Sequence, residues 1–108
     1  MTAPKLLDPV TFSDRSCRGV DPEFFFPSNA EQKRMVRRLC GGCPRLAECA
    51  DWAIPQVLAG LLTESFVAGV QMPQLNGKTT RQQRREVAAA ELAEVAAAAH
   101  ANLMEGAA

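Results

Sequence analysis

The chain has no tyrosine, one tryptophan and one histidine among its 108 residues. The histidine, His100, stands in the run Ala96 to Ala101 with no partner ligand at helical spacing, and it reads as a surface residue. No Ser–His–Asp arrangement, glycine-rich phosphate loop or paired acid site is present, which argues against an enzyme. Net charge is also lacking: 12 basic residues balance 12 acidic ones. That balance excludes a protein that coats nucleic acid generically, although charge is spread unevenly along the chain. No apolar run approaches the roughly 18 to 20 residues needed to span a bilayer. Met1 to Val10 carries one lysine and no apolar run, so it is not a secretory signal. The expected location is the cytoplasm.

What the chain does have is four cysteines, at Cys17-x22-Cys40-x2-Cys43-x5-Cys49. In a reducing compartment these are better read as metal ligands or redox groups than as a disulfide framework. A domain of this size buries a limited core and gains from such a staple. Cys40-x2-Cys43 puts two thiolates on one tight turn, Cys49 follows in the next helix, and Cys17 closes the set from a distant segment. Four thiolates suit either a tetrahedral zinc ion or a four-iron cubane, and spacing alone does not choose. Zinc ribbons often use two Cys-x2-Cys pairs, whereas this chain has one. A redox dithiol at Cys40 and Cys43 is a third reading, without the strand–turn–helix context of a thioredoxin-like site.

The elements read along the chain give an all-α fold, a small domain of about four helices, with no internal repeat. Residues 1–8 form a loose tail, 9–77 the cysteine-bearing domain, and 78–108 a basic segment with a C-terminal helix. Asp8-Pro9 opens a short helix towards Ser16. Ser28-Asn29-Ala30-Glu31 is a capping box that starts a second helix at Ser28. Its apolar pairs are Met35 with Leu39 and Val36 with Cys40, and Gly41-Gly42 ends it through a left-handed turn. Pro44 begins a third helix running to Ile54, since Pro55 disfavours helix before it. Leu46, Cys49, Ala50 and Ala53 share its inner face, with Trp52 able to cover the Cys49 sulfur. Ser65 to Met72 suggests a short strand or hairpin. Thr79 or Thr80 then caps a long alanine-rich helix ending before Gly106, with Leu92, Val95 and Ala99 on one side.

Two clusters of positive charge stand out. Lys33, Arg34, Arg37 and Arg38 form a stripe that reads as a solvated helix face or as a contact for an acidic partner or DNA. Lys78, Arg81, Arg84 and Arg85 put four cations in eight residues with no acid. At a helix start they oppose the macrodipole, so phosphate contact supplies the reason for them. The bland alternative is a basic linker, with the helix beginning after Arg85.

Cys17, then Asp21-Pro22-Glu23-Phe24-Phe25-Phe26-Pro27, then Cys40-Gly41-Gly42-Cys43-Pro44 and Cys49-Ala50 together resemble the WhiB-like family of actinobacteria and their phages. The resemblance spans roughly residues 8 to 85. It implies a [4Fe–4S] cluster held by Cys17, Cys40, Cys43 and Cys49 and responsive to O₂ and nitric oxide. It also implies docking on the C-terminal domain of the principal sigma factor and promoter DNA contact through the basic C-terminal segment. The implied protein is a transcription regulator with its helices organised around the cluster. Phe24, Phe25, Phe26 and Trp52 are expected as cover for the buried charge and as a partner surface. The family's Gly-[Val/Ile]-Trp-[Gly/Ala]-Gly turn is matched here only by Ser65-Phe66-Val67-Ala68-Gly69-Val70. Val67 stands where the tryptophan belongs, which touches sigma docking rather than the cluster, and Phe66 is expected to take over part of that contact.

Overall fold

The computed structural model describes residues 11–74 and 81–106. Among these residues the fold consists of three α-helices and one small hairpin: α1 (Ala30–Gly41), α2 (Leu46–Leu58), β1 (Phe66–Val67), β2 (Val70–Gln71) and α3 (Arg81–Gly106). A 3₁₀ turn, Pro22–Phe25, precedes α1 and is capped by Asp21, whose side chain accepts from the Glu23 N–H. The architecture is mostly helical, as expected, with a small two-stranded sheet added; among the described residues there are three α-helices where about four were expected. Of the helix expected from Asp8-Pro9 to Ser16, residues 8–10 lie outside the described residues. The rest forms successive turns through Arg15 N–H to Phe12 O and Arg18 N–H to Arg15 O.

Local chemistry explains where the helices begin and end. Asn29, not Ser28, caps α1: its side chain accepts from Gln32 N–H at 2.8 Å. Gln32 in turn accepts from the Ser28 N–H at 2.8 Å. The box is thus Asn-x-x-Gln, one residue later than Ser-x-x-Glu, because Asn caps as well as Ser and Gln32 falls at its third position. The end of α1 also differs from expectation. Gly41 lies inside the helix and Gly42 has φ −92°, so no left-handed turn closes it. Pro44, which forces the preceding Cys43 out of helical geometry, is the effective stop.

Pro44 lies in the turn before α2 and not at its first position, and Pro55 lies inside the helix. The packing of Ala53 and Val57, both fully buried, carries α2 one turn past the proline. The helix then ends in a Schellman motif: Gly60 N–H bonds Val57 O at 3.0 Å and Leu61 N–H bonds Gln56 O at 2.9 Å. Gly60 takes the left-handed φ of +80° that this cap requires.

The core lies mainly between α2 and α3. Ala50, Ala53 and Val57 face Ala88, Ala89, Leu92 and Ala96, with Met72 from the hairpin side completing the cluster. Small side chains on both helices let the backbones approach closely. Each fully buried larger side chain, such as Leu92, contributes roughly 1.5–3 kcal/mol. His100, exposed as expected, joins the same two helices from outside through Asp51 Oδ2 at 2.9 Å. Helix α3 runs through Gly106 rather than ending before it, and Thr79 and Thr80 lie outside the described residues. Met35, expected on the apolar side of α1, is half exposed.

The hairpin is antiparallel, with Val67 opposite Val70 and a two-residue loop, Ala68-Gly69. Both loop residues have positive φ, 53° and 78°. That pair is the signature of a type I′ turn, whose twist matches the flanking strands. Met72 N–H to Ser65 O at 2.8 Å and Glu64 N–H to Pro73 O at 3.0 Å extend the pairing beyond the strands.

Candidate metal centre

Cys17, Cys40, Cys43 and Cys49 all line one cavity of about 230 Å³. Cys17 comes from the turns before the 3₁₀ segment, Cys40 from the last turn of α1, Cys43 from the α1–α2 connection, and Cys49 from the first turn of α2. All four thiols are free and half-buried. The remaining wall is mostly apolar, with Phe25, Leu46, Trp52, Phe66 and Val67 among its members.

Backbone N–H groups point at three of the four sulfurs. Ser16 N–H and Arg45 N–H each donate to Cys43 Sγ at 3.4 Å. The hairpin turn supplies the others: Gly69 N–H bonds Cys40 and Ala68 N–H bonds Cys49. Burial dominates the acidity of these two thiols. It pushes Cys40 up to about 11 and Cys49 up to about 12, with the neighbouring cysteines adding to the rise and the turn N–H groups opposing it. Both are therefore protonated at neutral pH unless a cation takes their sulfurs.

A second set of contacts holds the Cys17 arm against α2. Arg45 Nε pairs with Asp14 Oδ1 at 2.8 Å, its Nη1 reaches Glu48 Oε1 at 3.3 Å, and its guanidinium lies 4.4 Å above the Phe12 ring. The hydrogen bond from Arg45, with its charge, holds the Asp14 carboxyl below the usual carboxylate range. Together with the Ser16 bond to Cys43, this clamp brings Cys17 across from the other three cysteines.

The expected aromatic cover divides. Phe25, Trp52, Phe66 and Val67 line the cavity. Phe24 packs edge-on against Phe25, with centroids 5.5 Å apart, and Phe26 is 55% exposed. Phe66 is buried, with the Arg37 guanidinium 5.5 Å above its ring, so it covers the cavity and presents no face outward. Arg15, Ser16, Leu39 and Arg45 also form the site, and the sequence did not mark them as site residues. The Ala68-Gly69 turn, which also serves the site, falls within the hairpin expected over Ser65 to Met72.

Among the basic residues expected to meet DNA, Lys78 lies outside the described residues and Arg81 opens α3. The helix therefore does not begin after Arg85. Arg84 donates from Nη1 to Gln74 O. The Arg85 guanidinium packs over Gly60, where an added Cβ would come within 2.6 Å of it. There it lies by the C-terminal end of α2, a favourable place for a cation.

Among the described residues no helix is long and apolar enough to cross a membrane. Residues 12–60 match the family model Whib, described as transcription factor WhiB. No curated protein and no solved structure matches the chain.

Proposed function

We propose that this chain, whose residues 12–60 match the WhiB transcription factor family, is a member of that family and a [4Fe–4S] regulator of transcription that responds to oxidants or nitric oxide. The observation that carries this reading is the convergence of four cysteines from four separate segments on one largely apolar cavity. The residues fit such a group. Four thiols and four N–H donors from the Ser16, Arg45, Ala68 and Gly69 backbone are the environment that a buried, negatively charged cluster requires. When bound, the cluster supplies a redox-sensitive cross-link.

Two observations weigh against the alternatives. A single zinc ion draws tetrahedral thiolates to within about 4 Å of one another, given Zn–S bonds of about 2.3 Å. Among the described residues no three His, Cys, Asp or Glu side chains are grouped as one ion needs. Four thiols around a cavity of about 230 Å³ suit a larger body. A disulfide reductase needs an attacking thiol of lowered pKa, whereas burial pushes Cys40 up to about 11.

The chain's own part in signalling follows from its connections. The cysteines tie together the Cys17 arm, both ends of the α1–α2 connection and, through Ala68 and Gly69, the hairpin. Loss of the cross-link frees these segments and changes the surface offered to partners. Those partners are the C-terminal domain of the principal sigma factor and promoter DNA, the latter met through the basic segment that leads into α3. Phe26, half exposed beside the cavity-lining Phe25, is the available aromatic contact for the former. Anaerobic co-purification of the intact protein with sigma tests this reading. Association that weakens on cluster loss supports it, and no association at micromolar concentration removes the sigma contact.

A further inference from the structure

The two basic clusters, apart in sequence, meet in the fold. Lys33 and Arg37 from α1 and Arg84 from α3 line one open groove of about 730 Å³, with the hairpin as its floor. Its size lies within the roughly 300–1,000 Å³ range of pockets that enclose a drug-sized ligand. Glu91 is the single acidic residue of the lining. The other walls are mixed. Gln71 and Gln83 add amide groups, and Val87 adds an aliphatic side chain that is 59% exposed.

We infer that this groove binds an acidic peptide segment of a protein partner, one that alternates carboxylates with aliphatic side chains. Three cations against one carboxylate set the charge of the occupant. The exposed Val87 decides between the two anionic classes. A phosphodiester backbone offers it only sugar C–H groups between charged phosphates, whereas an aliphatic side chain buries it more fully.

The groove also shares a wall with the cysteine cavity. Gly69 lines the groove, and an added Cβ there would stand 3.6 Å from Cys40 Cβ. Arg37 lines the groove and lies over Phe66, which lines the cavity. A rearrangement at Cys40 or Phe66 therefore reaches the groove through one residue.

The test uses the full chain, purified anaerobically, and fluorescence anisotropy of a short labelled peptide of alternating glutamate and leucine. Lys33→Glu should weaken binding at least about fivefold, since it removes one attraction and adds a repulsion. Val87→Ser, at an exposed position that the fold does not depend on, should weaken it about two- to fivefold. Arg34→Glu, on the same helix but outside the groove, should leave it unchanged. Equal weakening by Arg34→Glu would reveal unspecific charge attraction and overturn the inference. So would a groove that ignores the peptide yet loses duplex DNA on Lys33→Glu, because it would then be a phosphate site. Iron content of the same samples separates this result from the cluster: a groove failing in iron-replete protein leaves the cluster reading intact.

Discussion

The hairpin turn gives the sharpest mutational test of how the fold serves the cysteines. Gly69 has φ +78°, and a Cβ there would meet only ordinary contacts, 3.6 Å to Cys40 Cβ and 3.9 Å to Arg37 Cα. Gly69→Ala therefore creates no clash, and its whole cost is the left-handed backbone, about 1–2 kcal/mol. For a domain this size that is a fall in Tm of about 5–12 °C. Ala68→Gly is the matched control. It relieves a similar strain at φ 53° but exposes a buried methyl contact of about 0.8 kcal/mol, so the two effects nearly cancel. Thermal unfolding of both variants, followed by circular dichroism under anaerobic conditions, reads the difference. Gly69→Ala should also release iron faster, since the Gly69 N–H serves Cys40. A Gly69→Ala protein with unchanged Tm would refute the type I′ geometry and its role at the site.

Replacing any one of Cys17, Cys40, Cys43 or Cys49 with Ala should lower iron occupancy and loosen the fold, because ligation contributes folding energy in so small a domain; a full, stable cluster in Cys17→Ala would show that Cys17 is not a ligand. In metal-free protein, thiolate absorbance should show two thiols ionising well above pH 9, since burial raises Cys40 to about 11 and Cys49 to about 12. A raised folded-state value favours the folded form below pH 9, and this stabilisation is lost as pH climbs towards 11–12. Loss of near-ultraviolet dichroism in that window checks it, and four thiols ionising together near pH 9 would contradict it. Changing Lys78, Arg81, Arg84 and Arg85 to Ala should leave iron content unchanged and weaken promoter binding. Each lost phosphate contact contributes roughly −0.9 to the slope of log affinity against log salt, about −3 to −4 in all, so an unchanged slope would assign the DNA contact elsewhere.

Much of the site was legible because its chemistry is carried by spacing. The four cysteines, the Phe24-Phe25-Phe26 segment and Trp52 are visible in the chain, and the structure brings the cysteines, Phe25 and Trp52 to one cavity. The two major helices before the hairpin were legible from their caps and prolines, but their limits were not. Asn29 competes with Ser28 on equal terms as a cap, and only the Gln32 contacts decide. Pro55 is tolerated because Val57 beyond it is buried in the core, which no local rule reveals. The Arg45 clamp joins residues 31 positions apart, and the groove joins α1 to α3. Such contacts depend on tertiary packing, so neither basic cluster announced in sequence that it would share a site with the other.

The most direct test of the central claim is iron and acid-labile sulfide analysis of the anaerobically purified protein. A cluster held by all four cysteines predicts a brown protein with about four iron and four sulfide per chain. Stoichiometric zinc without sulfide would contradict it, and would make the cavity a structural zinc site.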